Sequence, residues 1–97
     1  MSLTGKQRAY LRRLGQEAEP VVFIGKAGIT PALRVQVEDA IQARELVKCR
    51  VLPGAPCTSR EAAVILAEDS GAEIAGLVGG NFLLWRRSAE KPLIQLP

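Results

Sequence analysis

Gly25-Lys26-Ala27-Gly28 is the segment of this chain whose residue types and spacing are best suited to holding an anion. It lies between the apolar run Val21-Val22-Phe23-Ile24 and the helix-opening pair Thr30-Pro31. Glycine lets backbone N–H groups approach a phosphate closely, and a helix N-terminus just beyond favours negative charge. A G-x-x-G loop alone can serve a tight turn equally well, so the weight falls on where the other cations stand. Lys6, Arg8, Arg12 and Arg13 crowd the first helix, Lys48 and Arg50 lie in a strand, Arg34 occupies the first turn of the second helix, and Arg86-Arg87 follow Trp85. A cation at a helix N-terminus opposes the macrodipole, so Arg34 is read as facing a bound phosphate.

The 97 residues carry a net charge of +3, unevenly placed. Residues 1–34 hold a net +4, residues 35–80 a net −3 and residues 81–97 a net +2, so positive charge gathers near the two chain ends. That asymmetry suits a polyanionic partner. Catalytic chemistry is poorly supplied. There is no histidine to act as a base near neutral pH, and neither Ser59 nor Cys57 has a neighbouring base. The acidic pairs Glu38-Asp39 and Glu68-Asp69 fall on solvated helix faces. Neither the P-loop nor the Rossmann glycine pattern is present. Cys49 and Cys57 lack metal-site spacing, and Cys49 reads as a small buried hydrophobe. No enzyme activity, metal, cofactor or small-molecule substrate is expected. The apolar runs are far shorter than the roughly 20 residues that span a bilayer, and no signal-peptide segment is evident, so no membrane role and a cytoplasmic location are expected.

These residues must be positioned by one domain covering residues 1–97. Thr4 and Gln7 have capping-box spacing, which predicts a helix over about Gly5 to Gln16 with Tyr10, Leu11 and Leu14 on its packing arc. Lys6 and Arg13 then border one side of that arc, Arg8 and Arg12 the other. Val21 to Ile24 does not alternate and reads as a strand covered on both faces. Thr30 caps a second helix that starts at Pro31, carries Leu33, Val37, Ala40 and Ile41 on one stripe, and ends near Ala43 or Arg44. Leu46 to Leu52 alternates, with Val47, Cys49 and Val51 inward and Leu46, Lys48 and Arg50 on a face partly open to solvent. Thr58 and Glu61 open a third helix, packed through Ala62, Ile65 and Leu66 and closed by Gly71. Ala72 to Val78 and Phe82 to Arg86 form a hairpin about Gly79-Gly80-Asn81. Phe82 is read as core, while Trp85 could be core or a base-stacking surface. The tail Pro92 to Pro97 is expected to fold back on the body. The order α-β-α-β-α-β-β implies an α/β fold with a single mixed four-stranded sheet and packed helices.

Taken together, Leu3-Thr4-Gly5-Lys6-Gln7, Leu11, Pro20-Val21-Val22, the segment Gly25 to Thr30, Glu45-Leu46-Val47-Lys48 and the terminal hairpin make the chain closely resemble the YhbY-like proteins. These are the stand-alone bacterial members of the chloroplast RNA splicing and ribosome maturation (CRM) domain family. The resemblance implies a fold similar to the C-terminal domain of bacterial translation initiation factor three. It also implies binding to ribosomal RNA and association with the large ribosomal subunit precursor during assembly. Gly25, Lys26, Ala27 and Gly28 match the family's G-x-x-G loop, which is compared with the backbone-clamping loop of KH domains. Lys6 and Lys48 match frequently basic positions. Two departures stand out. Trp85 precedes Arg86 where the family commonly has tyrosine, and Pro53-Gly54-Ala55-Pro56-Cys57 is more apolar than usual. The expected RNA contacts are Lys6, Arg8, Arg12, Arg13, Gly25, Lys26, Ala27, Gly28, Thr30, Arg34, Lys48 and Arg86. The competing reading is a small α/β adaptor whose basic face meets an acidic protein.

Overall fold

Three threonines start the three helices in the same way. The hydroxyl oxygens of Thr4, Thr30 and Thr58 accept hydrogen bonds of 3.1 Å from the N–H groups of Gln7, Leu33 and Glu61. Gln7 and Glu61 return the bond to their cap residues at 3.0 and 2.9 Å, completing two capping boxes. Each cap contributes about 1 kcal/mol. The chain is a computed structural model that describes residues 3–90 and 92–97; Lys91, counted above among the C-terminal cations, lies outside them. The helices are α1 (Gly5–Glu17), α2 (Pro31–Arg44) and α3 (Ser59–Ser70), and the strands are β1 (Val22–Ile24), β2 (Leu46–Val51), β3 (Glu73–Val78) and β4 (Asn81–Trp85). Among the described residues, no helix is long and apolar enough to cross a membrane.

The four strands form one sheet in the order β1-β2-β4-β3. β1 and β2 are parallel, whereas β4 is antiparallel to both β2 and β3. The tight hairpin therefore folds β4 back between β3 and β2. Side-chain alternation splits the sheet into two faces. Val22, Ile24, Val47, Cys49, Phe82 and Leu84 point toward α2 and α3, where they meet Leu33, Val37, Ile41, Ala62, Ala63 and Leu66. Leu83, Trp85 and Ala75 point the other way and meet Leu11 of α1. The close seat of α1 needs Gly15, because a Cβ there would lie 2.5 Å from Leu83 Cδ1.

Three packing expectations change. Val21 to Ile24 is not covered on both faces: Phe23 is 47% exposed, since α1 packs on β2, β3 and β4 and leaves β1 bare on that side. Tyr10 is only half-buried, and Leu11 and Gly15 make the α1 seat instead. Ile65 points outward, and Ala62, Ala63, Leu66 and Ala67 form the buried face of α3.

The tail does fold back, and a buried acid pins it. Glu45, the residue that ends α2, is fully buried and has φ 64°, rare for a side chain other than glycine. Its carboxylate accepts from the N–H groups of Ser88, Leu93 and Ile94 at 2.6, 2.8 and 2.7 Å. Burial alone would raise its pKa, but those three N–H donors and the nearby Arg87 guanidinium outweigh it and hold the carboxyl below its ordinary value. Ile94 and Leu96 thereby reach the cluster around Trp85.

Candidate nucleic-acid interface

Beyond β1 the chain reverses at once. The N–H of Gly28 donates to the carbonyl of Gly25 at 2.9 Å, and the two central residues of this turn, Lys26 and Ala27, stand exposed at its tip. The two glycines are not equivalent. Gly28 has φ 69° and is buried, and a Cβ on it would come 3.0 Å from Pro56 Cγ. Gly25 lies outside the left-handed region, and a Cβ there would meet only Leu52 Cδ1, at 3.9 Å. Thr30, next along, uses its hydroxyl to cap α2.

The segment after β2 supports this turn from behind. Leu52 N–H donates to Ile24 O at 2.9 Å and extends the parallel pairing. Ala55 N–H then donates to Leu52 O at 3.2 Å, with Pro53 and Gly54 (φ 91°) in the central positions of a type II turn. Gly54 lies against the stem of Lys26, since a Cβ there would be 3.6 Å from both Lys26 Cγ and Cε. The apolar character of Pro53 to Cys57 is thus explained by packing: it props the G-x-x-G turn and the Lys26 stem.

The cations among the expected RNA contacts fall into three groups. Lys6 and Arg13 on α1 and Lys26 at the turn tip are exposed and make no ion pair or hydrogen bond among the described residues. Arg12 is likewise exposed without an ion pair, its stem lying over Gly76 of β3. A second group ties α1 to the sheet. Lys48 Nζ donates to the carbonyls of Gly15 and Ala18 at 3.0 and 3.2 Å, capping the C-terminal end of α1. Arg8 donates to the carbonyl of Ile74. A third group sits on the α2–α3 side. Arg34 pairs with Asp69 of α3 at 2.6 Å, so the cation at this helix start is answered from within the fold and its position is no mark of an external phosphate. Arg86 makes a two-pronged pair with Glu38 at 2.9 and 2.7 Å and donates to Ser70 O at 2.6 Å. Hydrogen bonding to Arg86 holds the Glu38 carboxyl below its usual range, and the same contact raises Arg86 further. Trp85 is resolved as core, 5% exposed, with the Arg87 guanidinium 5.5 Å from its ring centre.

Between the C-terminal half of α1 and the sheet lies a groove of about 290 Å³. Arg12 and Gln16 form one wall, Lys48 stands at its side, and Gly76, Leu83, Asn81 and Val78 form the floor. None of its lining residues is acidic. The sequence had singled out Arg12 and Lys48, which line this groove, but not Phe23 and Asn81, which lie on the same sheet face. The alternation of β2 had marked Arg50 for that face; nothing in the apolar run of β1 distinguished Phe23 from its neighbours.

The comparisons with known proteins agree with this fold. The CRS1/YhbY (CRM) domain model matches residues 3–86. The chain is 32% identical over 95 residues to the probable RNA-binding protein YqeI of Bacillus subtilis, covering 98% of this chain and 99% of that one. It is 31% identical over 98 residues to an RNA-binding protein of Haemophilus influenzae, covering 99% and 96% of the two chains. Its fold is similar to the solution structure of the Staphylococcus aureus protein SAV1595, with a TM-score of 0.82 and 36% identity over 99% of this chain and 100% of the other. With its α-β-α-β-α-β-β order, its buttressed G-x-x-G turn and these matches along nearly its whole length, the chain belongs to the CRS1/YhbY (CRM) domain family of RNA-binding proteins.

Proposed function

We propose that this chain acts in the cytosol as one non-enzymatic domain that binds structured ribosomal RNA, mostly through phosphates, and supports assembly of the large ribosomal subunit. The observation that carries the reading is a group of exposed cations on α1 and at the tip of the G-x-x-G turn, Lys6, Arg12, Arg13 and Lys26, that make no ion pair among the described residues. Exposed cations that the fold does not use internally remain available to phosphates, and helix α1 bears no acid before Glu17. The turn adds backbone at the start of α2, where partial positive charge favours an anion.

Lys6→Ala combined with Arg13→Ala tests this directly, because both residues are exposed and the Leu11–Gly15 seat of α1 is untouched. The double variant is expected to stay folded, to leave large-subunit precursor fractions in a sucrose gradient, and to bind purified ribosomal RNA more weakly whatever its sequence. Nuclease treatment is expected to release the wild-type protein from the same fractions. A folded variant that stays with the particles and binds RNA normally would transfer the reading to an acidic protein partner.

A further inference from the structure

The face of the sheet that carries α1 is only partly covered by it. Across its uncovered end, register places Phe23, Arg50, Asn81 and Val78 in one row that crosses all four strands. Phe23 is 47% exposed, Val78 is 71% exposed, and Arg50 is exposed between them. Arg50 Nε donates to Asn81 Oδ1 at 3.2 Å, which ties the guanidinium to β4. Three strand spacings make the row about 14 Å long. At one end it lies two residues before Gly25; alongside it opens the groove walled by Arg12, Gln16 and Lys48.

Resting on the RNA-binding reading above, we infer that this row is a platform for unpaired RNA bases, with the Phe23 ring stacking a base next to a phosphate held at the G-x-x-G turn. An exposed aromatic ring beside cations, in a row without a carboxylate, complements a nucleotide, which has an apolar face and a negative backbone. Bases inside a duplex present no face to stack upon, so the platform selects single-stranded or looped RNA. Arg50 and the Asn81 amide supply hydrogen-bond donors along the row.

The test compares a single-stranded RNA of about ten nucleotides with the same sequence as a duplex, by fluorescence anisotropy across a salt series. Phe23→Ala and Phe23→Leu are expected to weaken single-strand binding by about 5- to 150-fold, and Phe23→Tyr to restore it. Because Phe23 is half exposed, Phe23→Leu keeps an apolar side chain at small cost to the fold, which circular dichroism checks. Duplex binding and the salt slope are expected to be unchanged in all three variants, whereas Lys26→Ala brings the slope closer to zero by about 0.7. If Phe23→Leu binds the single strand like the wild type, or loses single strand and duplex by the same factor, the platform is refuted while the RNA reading stands. Wild-type protein that binds neither RNA would refute both.

Discussion

The two glycines of the G-x-x-G turn are expected to respond in opposite ways to the same substitution. Alanine at Gly28 must adopt φ 69°, which costs an L-residue about 1–2 kcal/mol. Its Cβ also meets Pro56 Cγ at 3.0 Å, so the ring that props the turn has to give way. Together these predict a loss of about 2 kcal/mol, which for a domain of this size lowers Tm by about 8–16 °C. At Gly25 the backbone lies outside the left-handed region and the nearest atom to a Cβ is 3.9 Å away. Gly25→Ala is therefore expected to be neutral, or stabilising by up to about 1 kcal/mol through reduced freedom of the unfolded chain. Thermal unfolding followed by circular dichroism measures both. Equal destabilisation by the two substitutions, or an unchanged Tm for Gly28→Ala, would refute the reasoning. The difference also selects the functional probe. Gly25→Asp places a charge at the turn without forcing the backbone, and is expected to abolish most RNA binding in a folded protein, with a smaller loss for Lys26→Ala.

Three further outcomes are expected. Glu45→Gln removes a buried charge from three N–H donors and should cost about 2–3 kcal/mol at pH 7 by urea denaturation. Because the folded carboxyl titrates below its unfolded value, its contribution is complete above about pH 4.5 and fades as pH falls through the folded pKa. The gap between wild type and Glu45→Gln should thus narrow in acid, and an equal gap at pH 7 and pH 3 would overturn the role assigned to Glu45. Arg34→Ala breaks a pair whose partners are both more than one-third exposed, so about 0.5 kcal/mol or less is expected, with RNA affinity unchanged; a large loss of affinity would return Arg34 to the interface. Of the two thiols, Cys57 should react rapidly with a thiol reagent and Cys49 only on unfolding, since Cys49 is fully buried and burial pushes its pKa up to about 12.

Elements with strong local chemistry were legible from the amino-acid order. The three threonine caps, Pro31 at the start of α2, Gly71 at the end of α3 and the glycine hairpin set the element boundaries to within a residue or two. A mixed four-stranded sheet was legible too, but its order β1-β2-β4-β3 was not, because the pairing of β4 with β2 joins segments far apart in the chain. Tertiary pairing was not legible. Nothing local tells that Asp69 of α3 reaches Arg34, or that Glu38 and Ser70 hold Arg86, because these partners are 35, 48 and 16 residues away. The exposure of Phe23 depends on which strands α1 covers, and that is fixed by Gly15 meeting Leu83 far along the chain. Glu45 likewise shows its role only when the tail docks.

The most direct test of phosphate clamping is the salt dependence of RNA affinity, measured by filter binding for the wild type, Lys26→Ala and the Lys6→Ala/Arg13→Ala double variant. About four to six phosphate contacts predict a slope of log affinity against log salt of roughly −3 to −4 for the wild type. Each cation removed from contact should bring the slope closer to zero by about 0.7. A flat response in the wild type, or a slope that none of these substitutions alters, would contradict phosphate clamping by these cations.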